Sequence, residues 1–127
     1  MPTNPIVTAG QKISLKEAAK WTKKYQKDHP AKAEDGTTQD VTWATAFSRQ
    51  YLEDFMAQWG DECKGLRIYQ ATEDSGTRRV VLVAVDINGN DIVTPPPGAD
   101  QTDDYVVLDQ GNQCPNECGV NSPLMLP

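Results

Sequence analysis

Three cysteines and a single histidine are the residues of this chain best suited to covalent or metal chemistry. Cys114 and Cys118 stand three residues apart in the stretch NQCPNECGVNSPLMLP, and Cys63 lies far upstream. A tetrahedral zinc site takes four ligands, normally from two such pairs. Only Cys63 and His29 remain to complete one here, both remote in sequence, so no metal site is assigned. The thioredoxin-type redox motif is Cys-x-x-Cys at a helix N-terminus, where the dipole lowers a thiol pKa. Cys-x3-Cys with Pro115 inside has neither that spacing nor a helical pattern. A local bridge between Cys114 and Cys118 is sterically allowed if the chain turns sharply at Pro115 and Asn116. An odd, sparse set otherwise reads as reduced thiols in a cytoplasmic protein. The expectation is that the tail folds back to bring Cys114 or Cys118 towards Cys63, while the last few residues hang loose.

Other chemical constellations are weaker. His29 sits beside Pro30 at the end of a helical pattern, where a cation favours the dipole, and no nucleophile and acid accompany it in triad spacing. The pairs Glu53-Asp54, Asp61-Glu62, Glu73-Asp74 and Asp103-Asp104 are adjacent in sequence, so their side chains point apart and read as solvated charge. DINGNDI places Asp86, Asn88 and Asn90 at alternate positions, like the start of a calcium loop. An EF-hand needs a bidentate Glu at its last position and a helix on each side; that position is Pro97, and a hairpin turn accounts for every residue. No Gly-rich phosphate loop is present. No cofactor and no catalytic residue follow from these patterns.

Charge is divided unevenly. Residues 1–33 hold seven lysines against Glu17 and Asp28, a balance of +5, whereas the rest of the chain carries five basic and sixteen acidic residues, a balance of -11. Lys16, Lys20, Lys23, Lys24 and Lys27 recur on one side of the first helical pattern, a face able to meet an acidic protein surface or the acidic half of a second copy. The overall acidity, with a pI of 4.6, and the lack of a reading motif argue against nucleic acid. No stretch approaches the roughly 20 apolar residues that span a bilayer. The N-terminus lacks a basic region followed by an apolar run, which points to the cytoplasm.

The elements that must position these residues follow from periodicity. The chain is long enough for one domain with a core. Residues 1–11 read as an arm, 12–109 as a single domain and 110–127 as a tail. ISLKEAAKWTKKYQKDHP is an amphipathic helix with Ser14 as N-cap, Glu17 completing a capping box, and Leu15, Ala18, Ala19, Thr22 and Tyr25 on the apolar side. VTWATAFSRQYLEDFMAQWGDE is expected as a second helix capped by Asp40 or Thr42, with Phe47, Tyr51, Leu52, Phe55, Met56 and Trp59 forming a core stripe. LRIYQAT and RRVVLVAVDI read as strands, NGN as a tight turn requiring positive φ. DIV and YVVLD are further short strands, separated by TPPPGADQTDD, which the prolines exclude from regular structure. Helices first and strands after imply α+β: two N-terminal helices packed on an antiparallel sheet of three or four strands, with an irregular tail.

Four stretches, SLKEAAKWTKKY, ECKGLRIYQA, VVLVAVDINGNDIV and CPNECG with the following SPL, resemble a group of small uncharacterised bacterial proteins. The matching positions are Trp21, Thr22, Tyr25, Cys63, Gly65, Arg67, Ile68, Tyr69, Val85, Asp86, Gly89, Asn90, Asp91, Cys114 and Pro115, over about half of the chain. The sequence departs from the group's pattern in the insert Pro95 to Asp104 and in the spacing of the tail cysteines. The group has no established activity. The resemblance implies only that Arg67, Tyr69 and the NGND turn are places to look. The function expected is a non-enzymatic module that binds a protein partner or itself, with the lysine face and the segment from Pro95 onward as binding elements. The alternative is a thiol protein, redox-active or zinc-binding, using Cys114 and Cys118 with Cys63.

Overall fold

A computed structural model describes residues 5–95, 107–108, 112–114 and 122–126. The fold is mixed α+β. Two helices, α1 (Leu15–Asp28) and α2 (Arg49–Ala57), accompany five strands: β1 (Ala44–Ala46), β2 (Gly65–Thr72), β3 (Arg78–Val85), β4 (Val107–Leu108) and β5 (Asn112–Cys114). The strands form two sheets rather than one, β1-β5 and β2-β3-β4. The chain divides into two compact units. One gathers Met1–Gly10, Phe47–Ala71 and Val80–Gly111, the other Gln11–Ala46, Thr72–Arg79 and Asn112–Pro127. The Pro-rich stretch beyond Pro95, Tyr105 and Cys118 lie outside the described residues.

In the first unit, α2 supplies the core. The expected second helix is too long: Ala44–Ala46 form a strand and the helix starts at Arg49. Two forces explain the difference. Pairing with β5 draws Ala44–Ala46 into a strand, and Ser48 caps the helix that follows, its Oγ accepting the Tyr51 amide at 3.4 Å. Starting the helix there narrows the aromatic stripe to Phe55 and Trp59, which meet edge to face at 5.1 Å. Both are buried with Ala84 of β3 and Ile92, and Cys63 and Leu66 pack against them. Tyr51 instead stands 66% exposed. The Trp59 indole donates to the Thr94 carbonyl at 3.2 Å, so its one polar atom costs nothing in burial. β3 is buried from Leu82 to Val85, as its unbroken apolar run from Val80 implies. DIV does not form a strand of its own. It contributes one bridge, Val85 to Asp91, and the Ile92 amide donates to Ala84 at 2.8 Å.

In the second unit, Ser14 caps α1 as expected, accepting the Glu17 amide at 3.0 Å. The reciprocal half of the box is absent, because the Glu17 carboxylate accepts the Trp21 indole N–H at 3.0 Å. The buried face of α1 is also rotated from the expected one. Leu15 and Tyr25 are exposed, and the buried residue is Gln26. Its carboxamide donates to the Leu124 carbonyl at 3.0 Å and accepts the Leu126 amide at 2.8 Å. Residues 122–126 are thus docked on α1, which corrects the expectation of a loose end. β1 pairs antiparallel with β5, Ala44 opposite Cys114, and the Trp43 amide donates to the Cys114 carbonyl at 2.6 Å. Trp43 also ties the loop to the end of α1, its indole donating to the His29 carbonyl at 2.8 Å.

Truncating Phe55→Ala removes a ring buried against Trp59 and Ala84 and is expected to cost about 3–5 kcal/mol. Gln26→Ala strands the Leu126 amide and is expected to cost about 1–3 kcal/mol. Urea midpoints measured on the two variants check both values; a Gln26→Ala midpoint equal to wild type would mean that the tail is not held as described.

Candidate site on the exposed face of strand β2

β2 runs exposed from Arg67 to Gln70. Alternation along a strand puts Arg67 and Tyr69 on one face and Leu66 and Ile68 on the other. Leu66 packs into the core, so Arg67 and Tyr69 must face away from it. The turn after β3 rises to meet them. The Asp86 carboxylate accepts the amides of Asn88 and Asn90, each at 2.9 Å, and Gly89 takes a φ of 82° that a side chain would disfavour. The turn closes through the Gly89 amide to the Asp86 carbonyl at 3.0 Å and the Asp86 amide to the Asn90 carbonyl at 2.9 Å. This is a type I turn with a glycine bulge, and it delivers Asp91 beside β2.

Asp91 is the hub. One carboxylate oxygen accepts from the Arg67 guanidinium and the other from the Tyr69 hydroxyl. A second Arg67 nitrogen donates to the Gly89 carbonyl at 2.9 Å. Arg67 therefore grips both the turn backbone and its acid, a fork that lysine could not reproduce. The side chains of Arg67 and Asp91 are 42% and 24% exposed, so the cluster is open to a partner while its geometry is fixed. The hydrogen bond to Asp91 holds the Tyr69 hydroxyl above its ordinary value and raises Arg67 likewise. Chemically the Asp91 carboxylate is charge-paired by Arg67 and occupied by the Tyr69 hydroxyl, so all three side chains are held in one geometry.

The other sequence-derived candidates are dispersed. Lys16, Lys20, Lys24 and Lys27 are exposed along α1, and Lys23 is half-buried. Cys63 is a free, half-buried thiol that donates to the Gly65 carbonyl at 3.4 Å. Cys114 is buried and disulfide-bonded. The bridge does not involve Cys63, and it corrects the reading of all three cysteines as reduced. His29 stacks on Tyr25, ring centroids 4.1 Å apart, with Nδ1 3.0 Å from the Tyr25 carbonyl. Among the described residues, no three His, Cys, Asp or Glu side chains gather as metal ligands, and no helix is long and apolar enough to cross a membrane. Sequence reasoning singled out Arg67, Tyr69 and the turn, but assigned no role to Asp91. The signal was its position directly after the glycine bulge. No family model matches the chain, and no match to it was found among curated proteins or solved structures.

Because the neutral Tyr69 hydroxyl is the form that bonds Asp91, its contribution to stability is full below the ordinary tyrosine pKa of about 10. It is lost as pH rises through the higher folded value. Ultraviolet titration of wild type against Tyr69→Phe should show one tyrosine ionising late, and Asp91→Asn should bring that transition down. An unshifted Tyr69 in wild type would contradict the contact.

Proposed function

We propose that this protein is a non-enzymatic interaction module that binds another protein or a second copy of itself. The observation that supports this reading is the preorganised Arg67–Tyr69–Asp91 cluster on an exposed strand. Arginine and tyrosine are the residue types that most often dominate binding energy at interfaces. Here both are already held in one conformation, which lowers the entropy lost on association. The exposed lysines of α1, Lys16, Lys20, Lys24 and Lys27, are a separate candidate surface on the other unit. Membership of the small bacterial group belongs to this proposal, supported by Arg67, Tyr69 and the turn meeting in one cluster. The bridge at Cys114 speaks against the cytoplasmic location expected from the sequence, because disulfides persist chiefly in oxidising compartments.

Affinity capture from the native host, with sedimentation across a range of concentrations for self-association, tests the module. Arg67→Ala with Tyr69→Ala is expected to weaken the bound species at least tenfold with the fold intact. Lys16→Glu, Lys20→Glu and Lys24→Glu together report the share of the basic face. Unchanged capture or self-association in both variants would overturn the proposal.

The bridge at Cys114 bears on the alternative reading, a redox-active or zinc-binding thiol protein. A catalytic disulfide needs an accessible sulfur, and Cys114 is only 4% exposed, so the bridge fits a staple better than a redox or zinc centre. Thiol counting separates them. One reactive thiol, Cys63, is expected in the denatured unreduced chain and three after reduction; three before reduction, or stoichiometric zinc, would revive the metal or redox reading.

A further inference from the structure

The docking of residues 122–126 on α1 has the form of a ligand in a site. Ser122 and Met125 close a turn, the Met125 amide donating to the Ser122 carbonyl at 3.2 Å, with Pro123 at the second position, where its fixed φ is favourable. The Ser122 hydroxyl accepts the Leu124 amide at 3.1 Å, stiffening the turn from within. What holds the turn is backbone recognition by two side chains of α1. Thr22 Oγ1 donates to the Leu124 carbonyl at 2.7 Å, and Gln26 Nε2 donates to the same oxygen at 3.0 Å. Gln26 Oε1 accepts the Leu126 amide at 2.8 Å. One carboxamide thus brackets Met125, whose sulfur lies 3.6 Å from Gln26 Nε2 and 3.8 Å from Cys114 Sγ.

We infer that this face of α1, built from Thr22 and Gln26 with Cys114 of β5 behind them, is a peptide-docking site occupied in the resting chain by its own tail. The partner it fits is a Ser-Pro turn on another protein, followed by an unbranched apolar residue and a free backbone amide. Three features carry this. The recognition is of backbone atoms plus one apolar side chain, so any segment with that turn satisfies it. Leu124, Met125 and Leu126 are only half-buried, which leaves the tail held by few contacts. Gln26 is 3% exposed beneath the tail, so a segment that replaces the tail must offer the same carbonyl and amide or leave the carboxamide buried without partners. The tail acts at an effective concentration on the order of millimolar, which a partner must outcompete, and it thereby serves as a built-in competitor. The inference rests on the reading of this protein as an interaction module and names a partner class for it.

The test uses a fluorescein-labelled peptide of sequence GVNSPLMLP, residues 119–127, titrated into the full chain. Wild type is expected to bind it at least tenfold more weakly than full-length Met125→Asp, in which the tail is expelled. Adding Gln26→Ala to that variant is expected to remove at least tenfold of the gained affinity. No binding to a folded Met125→Asp chain, equal binding to wild type, or indifference to Gln26 would overturn the inference. If Met125→Asp does not fold, hydrogen exchange on wild type decides. The Leu126 amide should exchange at least tenfold faster than the α1 amides, and exchange as slow as theirs would mean the tail never leaves separately. A wild-type dimer dispersed by excess peptide would seat a second copy's tail in the site and overturn the choice of a foreign partner. Failure here leaves capture through Arg67 and Tyr69 untouched, so the two readings fall separately.

Discussion

A carboxamide taken out of water must find partners for both of its ends, and Gln26 finds them about a hundred positions along the chain. The second unit is arranged around that demand. α1 turns a polar residue inward where its pattern of apolar positions would place a hydrophobe, and the tail turns its backbone towards the helix. Thr22, one turn before Gln26, doubles the hold on the Leu124 carbonyl. No buried side-chain nitrogen or oxygen among the described residues lacks a partner. Such a network specifies one arrangement of helix and tail more sharply than a greasy contact would, because a shifted tail would leave amide and carbonyl unsatisfied.

The first unit solves a comparable problem at its surface. Asp91 accepts from Arg67 and Tyr69 because the glycine bulge before it sets the backbone at the right height. The same turn recurs twice more. Ala33–Thr37 and Glu73–Thr77 close with the same two backbone hydrogen bonds and place Gly36 and Gly76 at positive φ. At Glu73–Thr77 the acid at the start of the turn is paired with Arg79 on the following strand, which holds the Glu73 carboxyl below its usual range. An acid fixed by a turn and answered by an arginine is thus a repeated local device, and only at Asp91 does a tyrosine join it.

Local signals in the sequence were read correctly where the deciding forces were local. Ser14 as a cap, the bounds of α1, the two long strands and a turn glycine at position 89 all follow from residues within a few positions of one another. The failures share a cause, which is competition settled by distant partners. Ala44 to Ala46 pair with Asn112 to Cys114, and nothing near Trp43 announces that, so helical spacing of the rings prevailed in the reading. Gln26 looked like one polar residue among many on a helix flank, because its partners lie in a tail with no periodicity. The expected capping box failed for a neighbouring reason: Trp21 offers Glu17 a donor one turn ahead. Arg67 and Tyr69 stand out in the sequence only through resemblance; their chemistry depends on the bulge that places Asp91 between them.

The division of the chain into units has an architectural consequence. Passing from one end to the other, the backbone changes unit five times, after Gly10, Ala46, Ala71, Arg79 and Gly111. Each unit is therefore stitched from three separated stretches, and β2 and β3 each carry residues of both. No single cut releases an intact half, and no gene fragment encodes one. Neither unit could be inherited, shuffled or expressed as a movable cassette; a ribosome must deliver nearly the whole chain before either can be completed.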